Sequence, residues 1–235
     1  MDFQGEAFTE IARLLTAASI AVASGGRAHE LVRAEEVIST IASFAGECAL
    51  RQTGDVDFAN SSLAPGRRVF SAKVNILLSG DTDDWRRMLP SSAFGTLYSL
   101  LTNFPQSPWP AETFPSLPAV FRLFAEHKPT KEDWGFVPLS VPLPNRPKSA
   151  PLQTAFKIRN IVAKAFPTGL PDARYLGGAS VVALIKALNQ LRGRIPDHIA
   201  LALACETING MAKTAPFLEQ HATEVMADLK ASNRI

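Results

Sequence analysis

The stretch RRVFSAKVNILLSGD, residues 67–81, supports two backbones at once. Phe70, Ala72, Val74, Ile76 and Leu78 alternate with Ser71, Lys73 and Asn75, which is the period of a half-buried strand. Phe70, Val74, Leu77 and Leu78 also share one side of a helix that Gly80 would end. No second segment of the chain alternates convincingly, and both flanks read as helical. The spacing therefore predicts a helix over residues 68–79, and with it an all-α fold.

Upstream, Phe8, Ile11, Leu15, Ala18 and Val22 fall at helical spacing until Ser24-Gly25-Gly26 stops them. A second helix runs to about Arg51, with Leu31, Ala34, Ile38, Ile41, Ala45 and Cys48 on one face. Two such segments joined by a short turn are expected to fold back as an antiparallel pair, because neither buries its stripe alone. Downstream, Asp81 or Thr82 is expected to cap a helix with Asp83 and Asp84 at its positive end, and Pro90-Ser91-Ser92 opens another to about Asn103.

Eleven of the seventeen prolines lie in residues 104–151, where long helices cannot persist. Ser116 can cap LPAVFRLFAEHK, and Thr130 with Asp133 resembles a capping box. Residues 135–147, GFVPLSVPLPNRP, read as extended, and their Val, Leu and Phe content predicts that they lie against the body.

Beyond them Ser149 is expected to cap a helix to Ala165, and Gly177, Gly178 and Ser180 to open one to Leu191. Asp197 is expected to cap a third, carrying Leu201, Ala204, Cys205, Ile208 and Met211. Thr214 is expected to cap a fourth, carrying Leu218, Ala222, Val225 and Leu229. The sum is nine or ten helices in one globular body over residues 1–235. It comprises an N-terminal helical part (1–103), a proline-rich connection (104–151) and a C-terminal helical part (152–235).

An apolar content of 46% with 20% charge describes a folded domain rather than a disordered chain. No apolar run reaches the roughly 18–20 residues of a membrane span. The apolar stretch LLTAASIAVAS follows Asp2, Glu6 and Glu10 with a lone Arg13, where an export signal needs a positive start. Cys48 and Cys205 stand too far apart in sequence for a disulfide framework or a metal motif, which suits a reducing compartment, and a cytoplasmic location is the expectation.

Familiar catalytic signatures are absent. There is no dinucleotide fingerprint, Walker loop, His-Glu-x-x-His or Gly-x-Ser-x-Gly. DTDDW and DVDFAN lack the glycine that turns a calcium loop. His29, His127, His198 and His221 form no ligand pair at helical spacing, so neither metal nor cofactor is predicted. An enzyme assembled from scattered residues would draw on His198, Glu206 and Arg174. Cys48 and Cys205 read as inert core thiols.

Charge is the uneven feature. Residues 1–133 hold 12 basic and 16 acidic groups, residues 134–196 hold 9 and 1, and residues 197–235 hold 3 and 5, giving −4, +8 and −2 within a net +2. The nine central cations are Arg146, Lys148, Lys157, Arg159, Lys164, Arg174, Lys186, Arg192 and Arg194. Lys157, Asn160 and Lys164 share a helical face opposite Ile158, Ile161, Val162 and Ala165. Gly177, Gly178 and Ser180 at a helix start beside Arg174 would make an anion cradle. These cations either form an exposed anion-binding surface or pair internally with the acidic first part. The leading expectation is an interaction or assembly protein, with a protein partner or self-association. Nucleic acid or another polyanion bound on the basic residues 134–196 is the alternative.

Overall fold

The computed structural model describes residues 3–25, 32–58, 63–105, 107–131, 133–167, 169–218 and 221, and the backbone over them is all-α. Eight α-helices follow in order: α1 (Phe3–Ala23), α2 (Ala34–Thr53), α3 (Ala72–Ser79), α4 (Ala93–Thr102), α5 (Leu117–Glu126), α6 (Pro151–Ala165), α7 (Ala173–Leu191) and α8 (Asp197–Met211). Three short 3-10 turns punctuate them.

Residues 72–79 are helical, with Val74 and Leu78 buried and Gly80 closing the helix at φ 72°. Phe70 leaves the expected stripe: it precedes the extended Ser71, and its ring is 88% exposed. The helix expected at Asp81 or Thr82 is replaced by turns. Asp81 takes φ 61°, Thr82 Oγ1 accepts the Asp84 N–H, and Asp84 caps only the 3-10 turn Trp85–Arg87. Ser92 caps α4 as expected, accepting the Gly95 N–H at 3.1 Å. Thr130 and Asp133 form their predicted bond, but a turn follows rather than a helix. Thr214 bridges Arg68, and residues 214–218 are not helical, so no last helix starts there; most of that expected helix lies outside the described residues. His29 and Leu31 also lie outside them.

α2 is the axis of the molecule. It packs against α1, α3, α6, α7 and α8, and every residue from Ala34 to Leu50 is buried. The sequence shows one apolar stripe on this helix; the structure covers all of its faces. α1 packs on α2 as expected, and also on α6 and α7. Gly46 permits the closest approach: a Cβ there would stand 2.5 Å from the Ile208 carbonyl oxygen and 2.7 Å from Met211 Cβ.

Residues 136–141 cross α8 in an extended path, with Val137, Leu139 and Val141 buried and Phe136 and Ser140 outward. Gly210 makes room for that path, since its Cβ would meet Val137 Cβ at 2.6 Å. Around α4 a second cluster forms, where Trp85 packs against Phe94, Tyr98 and Phe114 and donates Nε1–H to the Pro115 carbonyl at 2.8 Å.

Replacing Gly46 with Val forces α8 away from α2. The expected cost is about 1–3 kcal/mol, read as a lower urea midpoint at unchanged m-value.

Candidate functional site

The nine central cations divide into engaged and free groups. Arg159 is engaged. It lies on α6 just beside the buried Leu152, Ala155, Ile158 and Val162 stripe, so its stem enters the core and it is 8% exposed. Its NH1 meets Glu47 Oε1 at 2.6 Å, its NH2 donates to the Phe217 carbonyl, and the Phe156 ring lies 5.2 Å away. Arg51 Nε reaches the same Glu47 oxygen at 2.9 Å. Arg159 therefore serves the core and is not part of an anion surface.

Arg192 is also engaged. Its Nε and NH2 both meet Asp197 Oδ2 at 3.1 Å, its NH1 meets the Ser107 carbonyl at 2.7 Å, and its guanidinium covers Trp109. Arg146 donates Nε–H to the Val141 carbonyl at 3.2 Å and NH2 to the Leu139 carbonyl at 2.9 Å, neither of which neutralises its charge.

Lys148, Lys157, Lys164, Arg174, Lys186 and Arg194 are exposed, and among the described residues none of their side chains has an ion pair or hydrogen bond. Gln153, Lys157, Asn160 and Lys164 form the outward line of α6 opposite buried Ile158 and Val162, as their spacing predicts. On α7 the least covered line is Arg174, Gly178, Val182 and Lys186, at steps of four. α6 and α7 each pack on α1, and Arg174 also lines a small pocket against α2 and α4. Of α1's outward charges, Arg13 pairs with Glu10 at 2.7 Å. Lys148 precedes α6 and Arg194 follows α7, so both lie outside this face.

The anion cradle expected at Gly177, Gly178 and Ser180 is corrected. α7 begins at Ala173, capped by Asp172, whose side chain accepts the Arg174 N–H at 2.7 Å. The two glycines thus sit one turn inside the helix, where N–H groups bond the preceding turn. Their smallness serves packing: a Cβ on Gly177 would lie 2.5 Å from Gln52 Nε2, and one on Gly178 would lie 3.3 Å from the Phe8 ring. Ser180 is wholly buried, and its Oγ donates to the Leu176 carbonyl. A small pocket of about 90 Å³ between α2, α4 and α7 brings Gln52, Thr96 and Arg174 together.

The trio His198, Glu206 and Arg174 does not assemble. Both Glu206 oxygens are held by Ser140, one by its N–H at 2.8 Å and one by its hydroxyl, and Arg174 lines the small pocket without either of the others. Burial raises the Glu206 carboxyl above the ordinary range, although the Ser140 bonds and Arg146 pull it down. Cys48 and Cys205 are fully buried, and burial pushes both thiols far up, so neither is a thiolate at neutral pH.

Lys213, unremarked in the sequence, is lowered to about 8 by burial, with Asn209 Oδ1 at 2.7 Å and the Phe121 ring beneath it. His127, isolated in sequence terms, stands 3.5 Å from Asp133. Among the described residues no three His, Cys, Asp or Glu side chains are placed to hold a metal ion, and no helix is long and apolar enough to cross a membrane. No protein-family model, no curated protein and no solved structure matches this chain.

Arg159→Ala leaves Glu47 with Arg51 as its remaining charged partner and is expected to cost about 3 kcal/mol, whereas Lys157→Ala on the outward line changes stability by less than about 0.5 kcal/mol. Denaturant unfolding of the two variants checks the division between engaged and free cations. A second outcome concerns pH. The folded Glu206 carboxyl binds its proton more tightly than the unfolded one, so its stabilising contribution is full below the ordinary glutamate value and is lost as pH rises through the raised one. Glu206→Gln removes that dependence, so the stability difference, wild type minus variant, falls across this window in unfolding curves taken from pH 4 upward.

Proposed function

We propose that this chain is a helical interaction protein whose α6–α1–α7 face holds an acidic protein surface. The observation that carries the reading is the state of Lys157, Lys164, Arg174 and Lys186. All four are exposed and without ion pairs among the described residues, on the two helices that flank α1. Unpaired cations keep their full attraction for an approaching anion and raise its association rate.

The exposed surface of α1 favours a protein over a nucleic acid. Ala17, Ile20 and Ala21 are outward on α1, and the Arg13–Glu10 pair beside them is neutral as a unit. An apolar centre with a charged rim is the composition of a protein interface, whereas duplex DNA presents one phosphate per roughly 1.7 Å and rewards denser positive charge. Nearby rings are turned to one another. Phe8 meets Tyr175 edge-on at 5.4 Å, and Phe156 meets Phe217 at 4.9 Å, so these four rings pack on one another rather than standing open for base stacking.

The test titrates labelled poly-glutamate and a mixed-sequence DNA duplex with the protein at about 50 mM salt. Poly-glutamate is expected to bind, to weaken with added salt, and to lose tenfold or more affinity to K157E/K164E/R174E/K186E at unchanged melting temperature. Tighter binding of the duplex, with a salt slope counting roughly four phosphates, transfers the function to the nucleic-acid alternative. Binding of neither overturns both.

A further inference from the structure

A groove of about 260 Å³ lies between the end of α5 and residues 136–147, lined by Leu123, His127, Asp133, Phe136, Leu139 and Arg146 among others. Its three charged or titratable groups come from three different junctions. His127 is the residue that ends α5, Asp133 sits in the turn before Gly135, and Arg146 ends the 3-10 turn Leu143–Asn145. Asp133 and Arg146 are held by main chain. Asp133 Oδ2 accepts the Thr130 N–H at 2.9 Å and its hydroxyl at 3.0 Å, and these bonds hold the Asp133 carboxyl below the usual carboxylate range. The same oxygen stands 3.5 Å from His127 Nε2. The His127 carbonyl is itself gripped by Arg68.

Arg146 is the decisive group. Two of its nitrogens are tied to the Leu139 and Val141 carbonyls, which are neutral, so the guanidinium is immobilised without losing its charge. Its NH1 has no partner among the described residues, and the residue is exposed. Glu206 is near enough to feel that charge, yet both its oxygens face Ser140 and it forms no ion pair with Arg146. A cation held in place without an ion pair can receive a carboxylate: Arg146 takes the anionic head and Phe136, Leu139 and Leu123 take the body, while Asp133, an anion in the same groove, has its Oδ2 engaged by Thr130 and His127. We propose that this groove binds a small organic monocarboxylate with an apolar body, through Arg146. The volume is just under the range of drug-sized pockets, so the ligand is compact. The site is separate from the α6–α1–α7 face and stands or falls independently of it.

Benzoate serves as the probe and benzyl alcohol as its uncharged counterpart, each titrated into the isotopically labelled protein while amide shifts are followed. Benzoate is expected to move the amides of residues 136–147 saturably, with a dissociation constant of about 1 mM, as befits a ligand of so few atoms. Benzyl alcohol is expected to bind at least tenfold more weakly. Arg146→Met is expected to lose tenfold or more of the benzoate affinity. Should that variant fail to fold, Arg146→Lys, which keeps the charge but not the fork, is expected to weaken benzoate threefold or more. Equal binding of the two probes, shifts that never saturate, or an Arg146 variant that binds benzoate as the wild type does, would overturn the assignment.

Discussion

A polar side chain buried without a partner is costly, and α2 is buried on every side, with Ser39 Oγ, Thr40 Oγ1 and one oxygen of Glu47 left without a hydrogen bond among the described residues. Its other polar groups reach outward and fasten the rest of the chain. Glu35 accepts from Asn145, and Glu36 accepts the N–H groups of Lys148 and Ser149. Ser43 bonds Thr154 on α6, Glu47 takes Arg159, and Gln52 donates to the Ala173 carbonyl at the start of α7. Together these bonds fix the 3-10 turn Leu143–Asn145, the start and middle of α6, and the start of α7 to the same axis. Removing one partner costs more than forming the pair contributes, because the remaining group stays buried.

That constraint also sorts the charges. Among the described residues, Arg159 is the central cation that pairs with a carboxylate of the acidic first part, and Glu47 draws it off the surface. Lys157 and Lys164, two and five positions from Arg159 on the same helix, point away from the core and keep their charge in solvent. The basic character of residues 134–196 is thus partly structural and partly available, and four of the available cations, Lys157, Lys164, Arg174 and Lys186, lie on the two helices that pack on α1.

The extended path over α8 follows the same rule by another route. Without a neighbouring strand, its backbone groups find side chains: the Ser140 N–H finds Glu206, and the Leu139 and Val141 carbonyls find Arg146. Satisfying an irregular backbone in this way leaves a rigid arginine at the rim of a groove, beside a histidine and an aspartate set by separate turns. The groove is then a by-product of how an unpaired segment is made compatible with burial.

Local chemistry was legible in the sequence. Gly80, Ser92, Asn103 and the proline-dense middle marked where helices stop and start, and the outward run of Lys157, Asn160 and Lys164 followed from a period of 3.6 alone. Less legible were features in which two local signals compete, such as the turn at Asp81 and the start of α7 ahead of Gly177. What only the tertiary structure decided was which groups meet. Glu47 and Arg159 lie 112 positions apart, and Ser140 and Glu206 lie 66 apart. A helical period names the face a residue occupies but not what covers that face. The burial of α2 on all sides, the withdrawal of Arg159 and the aim of Arg146 therefore emerged only from packing.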